Sequence, residues 1–139
     1  MKIKLLDGAT ATNGVPTDGD ATVGFPLAGL GFTGLSHDVP NDGVCGLTLE
    51  STAGSATMTV TVKIWVYAAA VGNWVPFGSH ATAASRGLIN EGNAIDEVAA
   101  DLLRHTELIT GLDNYERIYA EITAIGGTAT AVDLYVHGR

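Results

Sequence analysis

Charge is scarce in this sequence, and what there is leans one way. Seven Lys and Arg stand against fifteen Asp and Glu in 139 residues, a net charge of -8 and a charged share of 16%, well below the roughly 25% of an average soluble domain. No basic cluster is present to neutralise a run of phosphates, which argues against direct nucleic-acid binding. Cysteine is rarer still. Cys45 stands alone, so it has no partner for an intrachain disulfide and no companion thiolates for a zinc site. That leaves it the role of a small buried apolar residue. Long apolar runs are also missing. No stretch approaches the ~18 residues of a membrane span, and the apolar run after Lys2 and Lys4 stops at Leu6, short of a signal peptide. These absences lead us to expect a chain that is soluble where it is made, the cytoplasm.

What the sequence does have is glycine, 18 residues of it, against a usual share of about 7%. Much of the surface must therefore be Thr, Ala, Ser and Gly. Such a surface lacks the charges that hold free copies apart, and part of it suits a partner. The length fits one ordinary domain around one core, residues 1–139, with no help from disulfides or metals.

From Asp7 to Gly43 the chain is punctuated by Asn13-Gly14, Asp18-Gly19, Pro16, Pro26, Pro40 and Asp42-Gly43. Strands there must be short, with Lys2–Leu6, Ala21–Phe25 and Leu30–Leu35 as candidates. The turn-rich region of about 7–42 reads as an arm that orders on contact with a neighbour. Val44 to Glu50 begins a clearer extended segment. The strongest signal runs from Thr57 to Tyr67, where Met58, Val60, Val62, Ile64 and Val66 alternate with Thr, Lys, Trp and Tyr, the pattern of a long strand with one buried face.

Gly72-Asn73 then reads as a two-residue hairpin turn into Trp74-Val75-Pro76-Phe77, and Pro76, which lacks a ladder donor, either places that strand at an edge or ends it early. Between Ser79 and Gly111 a helical stripe (Ile95, Val98, Ala99, Leu102, Leu103) behind Asn93 competes with an extended crossing loop. At the C-terminus Ile118, Ala120, Ile122 and Ala124 form one strand face, and Val132, Leu134 and Val136 the next. A three-residue loop at Gly126, Gly127 and Thr128 would pair Ile118 with Val136, Ala120 with Leu134 and Ile122 with Val132, keeping the apolar side chains together. The whole predicts an all-β fold, a β-sandwich or jelly roll, with at most one short helix near residues 94–104.

The search for chemistry returns little. His37, His80, His105 and His137 lack metal-binding spacing, and the serines and Cys45 lack nucleophile signatures. Asp18, Asp20 and Asp42 offer oxygen ligands in turns, though turn formation explains them more simply. Gly29, Gly31 and Gly34 match GxGxxG by letter, with no helix to follow. Glu91 and Asp96-Glu97 as a glycosidase pair give way to a solvated charged face. The expectation is no enzyme, no cofactor and no metal.

The remaining candidates lie on polar strand faces: Trp65, Tyr67, Trp74, Tyr119 and Tyr135. They have three readings: a second buried face, a protein interface, or a platform for sugars. In the preferred hairpin register Arg117 faces His137, Tyr119 faces Tyr135, and Glu121 faces Asp133. Two opposed carboxylates call for a positive neighbour, so this face, with Arg117, Tyr119, Glu121, Asp133 and Tyr135, is expected to be an interface.

The long Thr/Val strand ending Trp65-Val66-Tyr67-Ala68, the turn to Trp74-Val75-Pro76-Phe77-Gly78, and the run Asn114 to Thr123 followed by a glycine-turned last strand resemble the small structural proteins of tailed bacteriophage virions, in particular capsid decoration or cement proteins. The resemblance extends from Thr57 to Val136 and carries no signature residue. It implies a subunit on the capsid surface that bridges major capsid proteins, often as a homotrimer. The alternatives are a carbohydrate- or receptor-binding module of tail-fibre or lectin type, and another head-tail structural subunit.

Overall fold

The computed structural model describes residues 2–16, 37–39, 44–52, 58–78, 86–90, 95–97, 102–127 and 130–138. Nine strands account for most of them: β1 (Lys2–Ala9), β2 (His37–Asp38), β3 (Val44–Thr52), β4 (Met58–Ala68), β5 (Asn73–Pro76), β6 (Ile95–Glu97), β7 (Leu102–Thr110), β8 (Arg117–Gly127) and β9 (Thr130–His137). A 3-10 turn, Leu112–Asn114, links β7 to β8. The strands form two antiparallel sheets. Sheet A runs β1-β9-β3-β7, and sheet B runs β2-β8-β4-β5 with β6 also on β4.

The sheets pack face to face because each strand carries one apolar side. Val60, Val62, Ile64 and Val66 of β4 and Ile118, Ala120 and Ile122 of β8 meet Leu47 and Leu49 of β3 and Val132, Leu134 and Val136 of β9 in one buried cluster. Each fully buried Val, Leu or Ile contributes about 1.5–3 kcal/mol. Cys45 is 1% exposed within that cluster, an ordinary core residue. The all-β sandwich expectation holds.

Two bulges adjust the alternation. Between Lys4 and Leu6 the β1–β9 register slips, so the consecutive residues Leu5 and Leu6 are both buried. In β8, Ala124 pairs with Thr61 and Ile122 with Val62, which leaves Thr123 as an extra residue. Beyond it the faces exchange: Ala124 is exposed and Ile125 packs against the core, correcting the expectation that Ala124 continues the buried face.

Three further expectations are corrected. The largest concerns the C-terminal hairpin: β8 and β9 do not pair. β8 lies beside β4 in sheet B and β9 between β1 and β3 in sheet A, so the chain crosses from one layer to the other near Gly127. Their apolar faces meet across the core instead of side by side, which satisfies the same pattern. The β4–β5 hairpin exists, but Ala68 pairs with Asn73. The turn is Ala69 to Gly72, with Gly72 at φ 65°, a value that glycine adopts without steric cost. Between 94 and 104, the described residues are strand, β6 and the start of β7. The stripe at Leu102 and Leu103 thus belongs to neither a helix nor a loop, because cross-strand pairing with Thr52 and Ser51 overrides a weak local preference. Strands at Ala21–Phe25 and Leu30–Leu35, the Gly29-Gly31-Gly34 motif and Asn93 lie outside the described residues.

Candidate functional site

The outward aromatics of sheet B come together first. Tyr67 of β4 sits opposite Trp74 of β5, and Trp65 opposite Tyr119 of β8. Tyr67 and Trp74 meet edge to face at 5.5 Å between ring centres, Trp74 and Tyr119 at 6.2 Å. These three rings are 0%, 7% and 7% exposed, with Trp65 half-buried against them. They form a second small core on the far side of sheet B, so of the three readings the buried face applies.

The segment after β1 reaches this core. The Tyr119 hydroxyl donates to the Gly14 carbonyl at 2.9 Å. The Asn13 side-chain amide donates to the Ala120 carbonyl at 3.0 Å and accepts from the Ile122 N–H at 2.8 Å. One side chain thus supplies a donor and an acceptor to the edge of β8, as a neighbouring strand would. Of the expected assembly arm, residues 7–9 belong to β1 and Asn13 and Gly14 are anchored by their own chain; residues 17–36 and 40–42 lie outside the described residues.

The candidate face of Arg117, Tyr119, Glu121, Asp133 and Tyr135 is divided between the two layers, a correction that follows from the crossing of β8 to β9. On sheet B, Arg117 pairs with Asp38 at 2.7 Å. Glu121 lies opposite Lys63 and accepts from the Trp65 indole at 3.0 Å, while the Lys63 ammonium rests 4.8 Å from the Trp65 ring centre. On sheet A, Asp133 accepts from the Gly8 N–H at 2.7 Å and pairs with Lys4 at 3.2 Å. Opposed carboxylates do occur, but they are Asp133 and Glu50. Each has its own cation, since Arg104 binds Glu50 at 2.9 Å.

The outer face of sheet A is the more open of the two. Tyr135 is half-buried beneath the ammonium groups of Lys2, at 4.2 Å, and Lys4, at 5.4 Å. Lys4 also binds Asp7 at 2.6 Å; that carboxylate above all, with Asp133 adding to it, holds the ammonium above the usual lysine range. One register step away, His137 lies beside Gly46. A β-carbon at position 46 would stand 2.8 Å from the His137 Nε2, so only glycine lets the imidazole lie flat over β3 and reach the Thr48 hydroxyl at 3.0 Å. Leu108, 76% exposed, and Val44, 58% exposed, continue this face. Shallow, open depressions along it are lined by Lys2, Thr48, Glu50, Tyr135 and His137, and next to them by Val44, Gly46 and Leu108.

Sequence reasoning missed Gly46, Thr48, His137 and Leu108 as a group. The available signal was a glycine inside the Val44–Glu50 segment, since glycine in a strand marks a close approach of another group. Among the described residues, no three His, Cys, Asp or Glu stand together as metal ligands. Asp18, Asp20, Asp42, His80 and Glu91 lie outside the described residues.

Fold and surface together define a two-sheet antiparallel β-sandwich with one covered and one open outer face. Comparison with protein-family models, with curated proteins and with solved structures finds no match for the chain.

Proposed function

We propose that this chain is a non-catalytic virion structural protein, a capsid decoration or cement subunit. It binds the shell of major capsid protein through protein–protein contacts and associates with its own copies, on the capsid surface after synthesis in the host cytoplasm. The observation that carries this reading is the outer face of sheet A, where exposed Leu108 and Val44 adjoin His137, Thr48 and the lysine-capped Tyr135. An apolar patch rimmed by polar groups on a broad sheet suits a protein surface better than a small substrate, which favours a concave pocket. The resemblance described above supplies the capsid.

For the carbohydrate-binding alternative, Trp74 is 7% exposed and Trp65 lies against Lys63 and Glu121, which leaves the half-buried Tyr135 beneath Lys2 and Lys4 as its remaining ring.

Co-sedimentation of the purified chain with shells of the phage that encodes it tests the proposal. Saturable binding that weakens at least about tenfold in Leu108→Asp, with the melting temperature unchanged, is the expected result. Equal binding by the variant, or none by the natural chain, would overturn it.

A further inference from the structure

The sandwich has four sheet edges, and three are blunted. An open edge is a template for another strand, and folded proteins suppress it with bulges, proline, lysine or covering segments. At β1 the register slips twice and Lys2 and Lys4 are present. The β4 side of sheet B is covered by short pieces, β5 ending at Pro76, a single bridge at Leu88, and β6. The β8 side is closed by the two residues of β2 and by the Asn13 amide.

The β7 edge has no bulge, proline or lysine, and its protection among the described residues is limited to the inward-facing His105 and Glu107, the latter bonded by the Asn90 N–H. It runs nine residues, from Leu102 to Thr110, in nine consecutive pairs with β3 and without a register slip. It contains no Pro, Gly or Lys, and no strand lies on its other side among the described residues.

We propose that β7 is a self-association edge, pairing antiparallel with β7 of a second copy about a twofold axis through Thr106. The charges on β7 choose that register. Centring on Thr106 sets His105 opposite Glu107 of the second copy, and the twofold repeats the pair, giving complementary partners on one face. On the other face it sets Arg104 opposite Leu108, whose 76% exposure is then covered by the aliphatic part of the arginine. A centre at Glu107 would oppose two carboxylates, and one at His105 two imidazoles. The edge is also prepared within each copy: Glu107 holds His105 at 2.7 Å and accepts from the Asn90 N–H at 3.0 Å, so both side chains are positioned before contact. This deepens the reading of an assembling protein, on which it rests only for the expectation that copies associate.

Sedimentation of the full chain from about 1 µM to about 1 mM reads the association directly. Expected is a dimer whose dissociation constant rises about tenfold or more in Thr106→Lys/Leu108→Lys, which opposes like charges across the axis, with an unchanged melting temperature. Thr106→Lys and Thr106→Glu should each associate poorly alone and well when mixed. Thr106→Cys should form a disulfide between copies under mild oxidation while Arg104→Cys does not, Cys45 being buried. A chain monomeric throughout, an oligomer indifferent to these changes, or a closed trimer would overturn the proposal. Both proposals involve Leu108, but the Thr106→Lys with Thr106→Glu mixing and the Thr106→Cys cross-link leave Leu108 unchanged and need no shell, so the two proposals fail separately.

Discussion

Gly46 and His137 are register partners whose fit depends on what Gly46 lacks: the imidazole occupies the space of the missing β-carbon. Gly46→Ala must swing the ring aside and break its bond to Thr48. We expect a loss of about 1 kcal/mol, measured by denaturant unfolding. In a His137→Ala background the same change should be close to neutral, and a double-mutant cycle with no coupling would show that the ring moves freely.

Asn13 closes the edge of β8 with one donor and one acceptor. Replacing it by Ala leaves the Ala120 carbonyl and Ile122 N–H without that partner, for a cost of about 1–3 kcal/mol. Hydrogen exchange at the Ile122 amide should accelerate, while the Leu49 amide in sheet A keeps its protection. Asn13→Asp should lose only the bond to the Ala120 carbonyl, for which a carboxylate has no proton, and keep Ile122 amide exchange slower than in Asn13→Ala.

Tyr119 and Tyr135 should respond very unequally to the same change. Tyr119 is 7% exposed, packs on Trp74 and bonds Gly14, so Tyr119→Ser should cost about 3–5 kcal/mol, in the range of large core truncations. Tyr135 lies on the outer face beneath two lysines, and Tyr135→Ser should cost below about 1 kcal/mol. Thermal melts of the two single variants check the division between core and surface.

The Lys4 ammonium is held above its ordinary value of 10.5 by Asp7 and Asp133. A raised lysine stabilises the fold fully below the unfolded value, and the contribution declines as pH rises from there through the folded value. The stability difference between the natural chain and Lys4→Met should therefore be constant from neutral pH to about 10 and shrink above it. Salt should reduce it, since the pair is open to solvent. A difference that grows with pH would contradict this assignment.

Strand identity and facing were largely written in the chain. The Val/Ile alternation of β4 and the apolar triplets Ile118-Ala120-Ile122 and Val132-Leu134-Val136 each have a period of two. A period of two is a local property of the pleat, legible wherever one face is buried. Which strand lies beside which was not legible, because β8 and β9 bury the same faces whether they lie side by side or oppose each other across the core. Tertiary packing chose the second arrangement, and with it the separation of Tyr119 from Tyr135, the pairing of Glu121 with Lys63 and of Asp133 with Lys4, and the burial of the sheet B aromatics. It chose strand over helix at Leu102 and Leu103 for the same reason. Neighbours distant in sequence supply the hydrogen bonds and the buried surface that decide between local alternatives of nearly equal free energy.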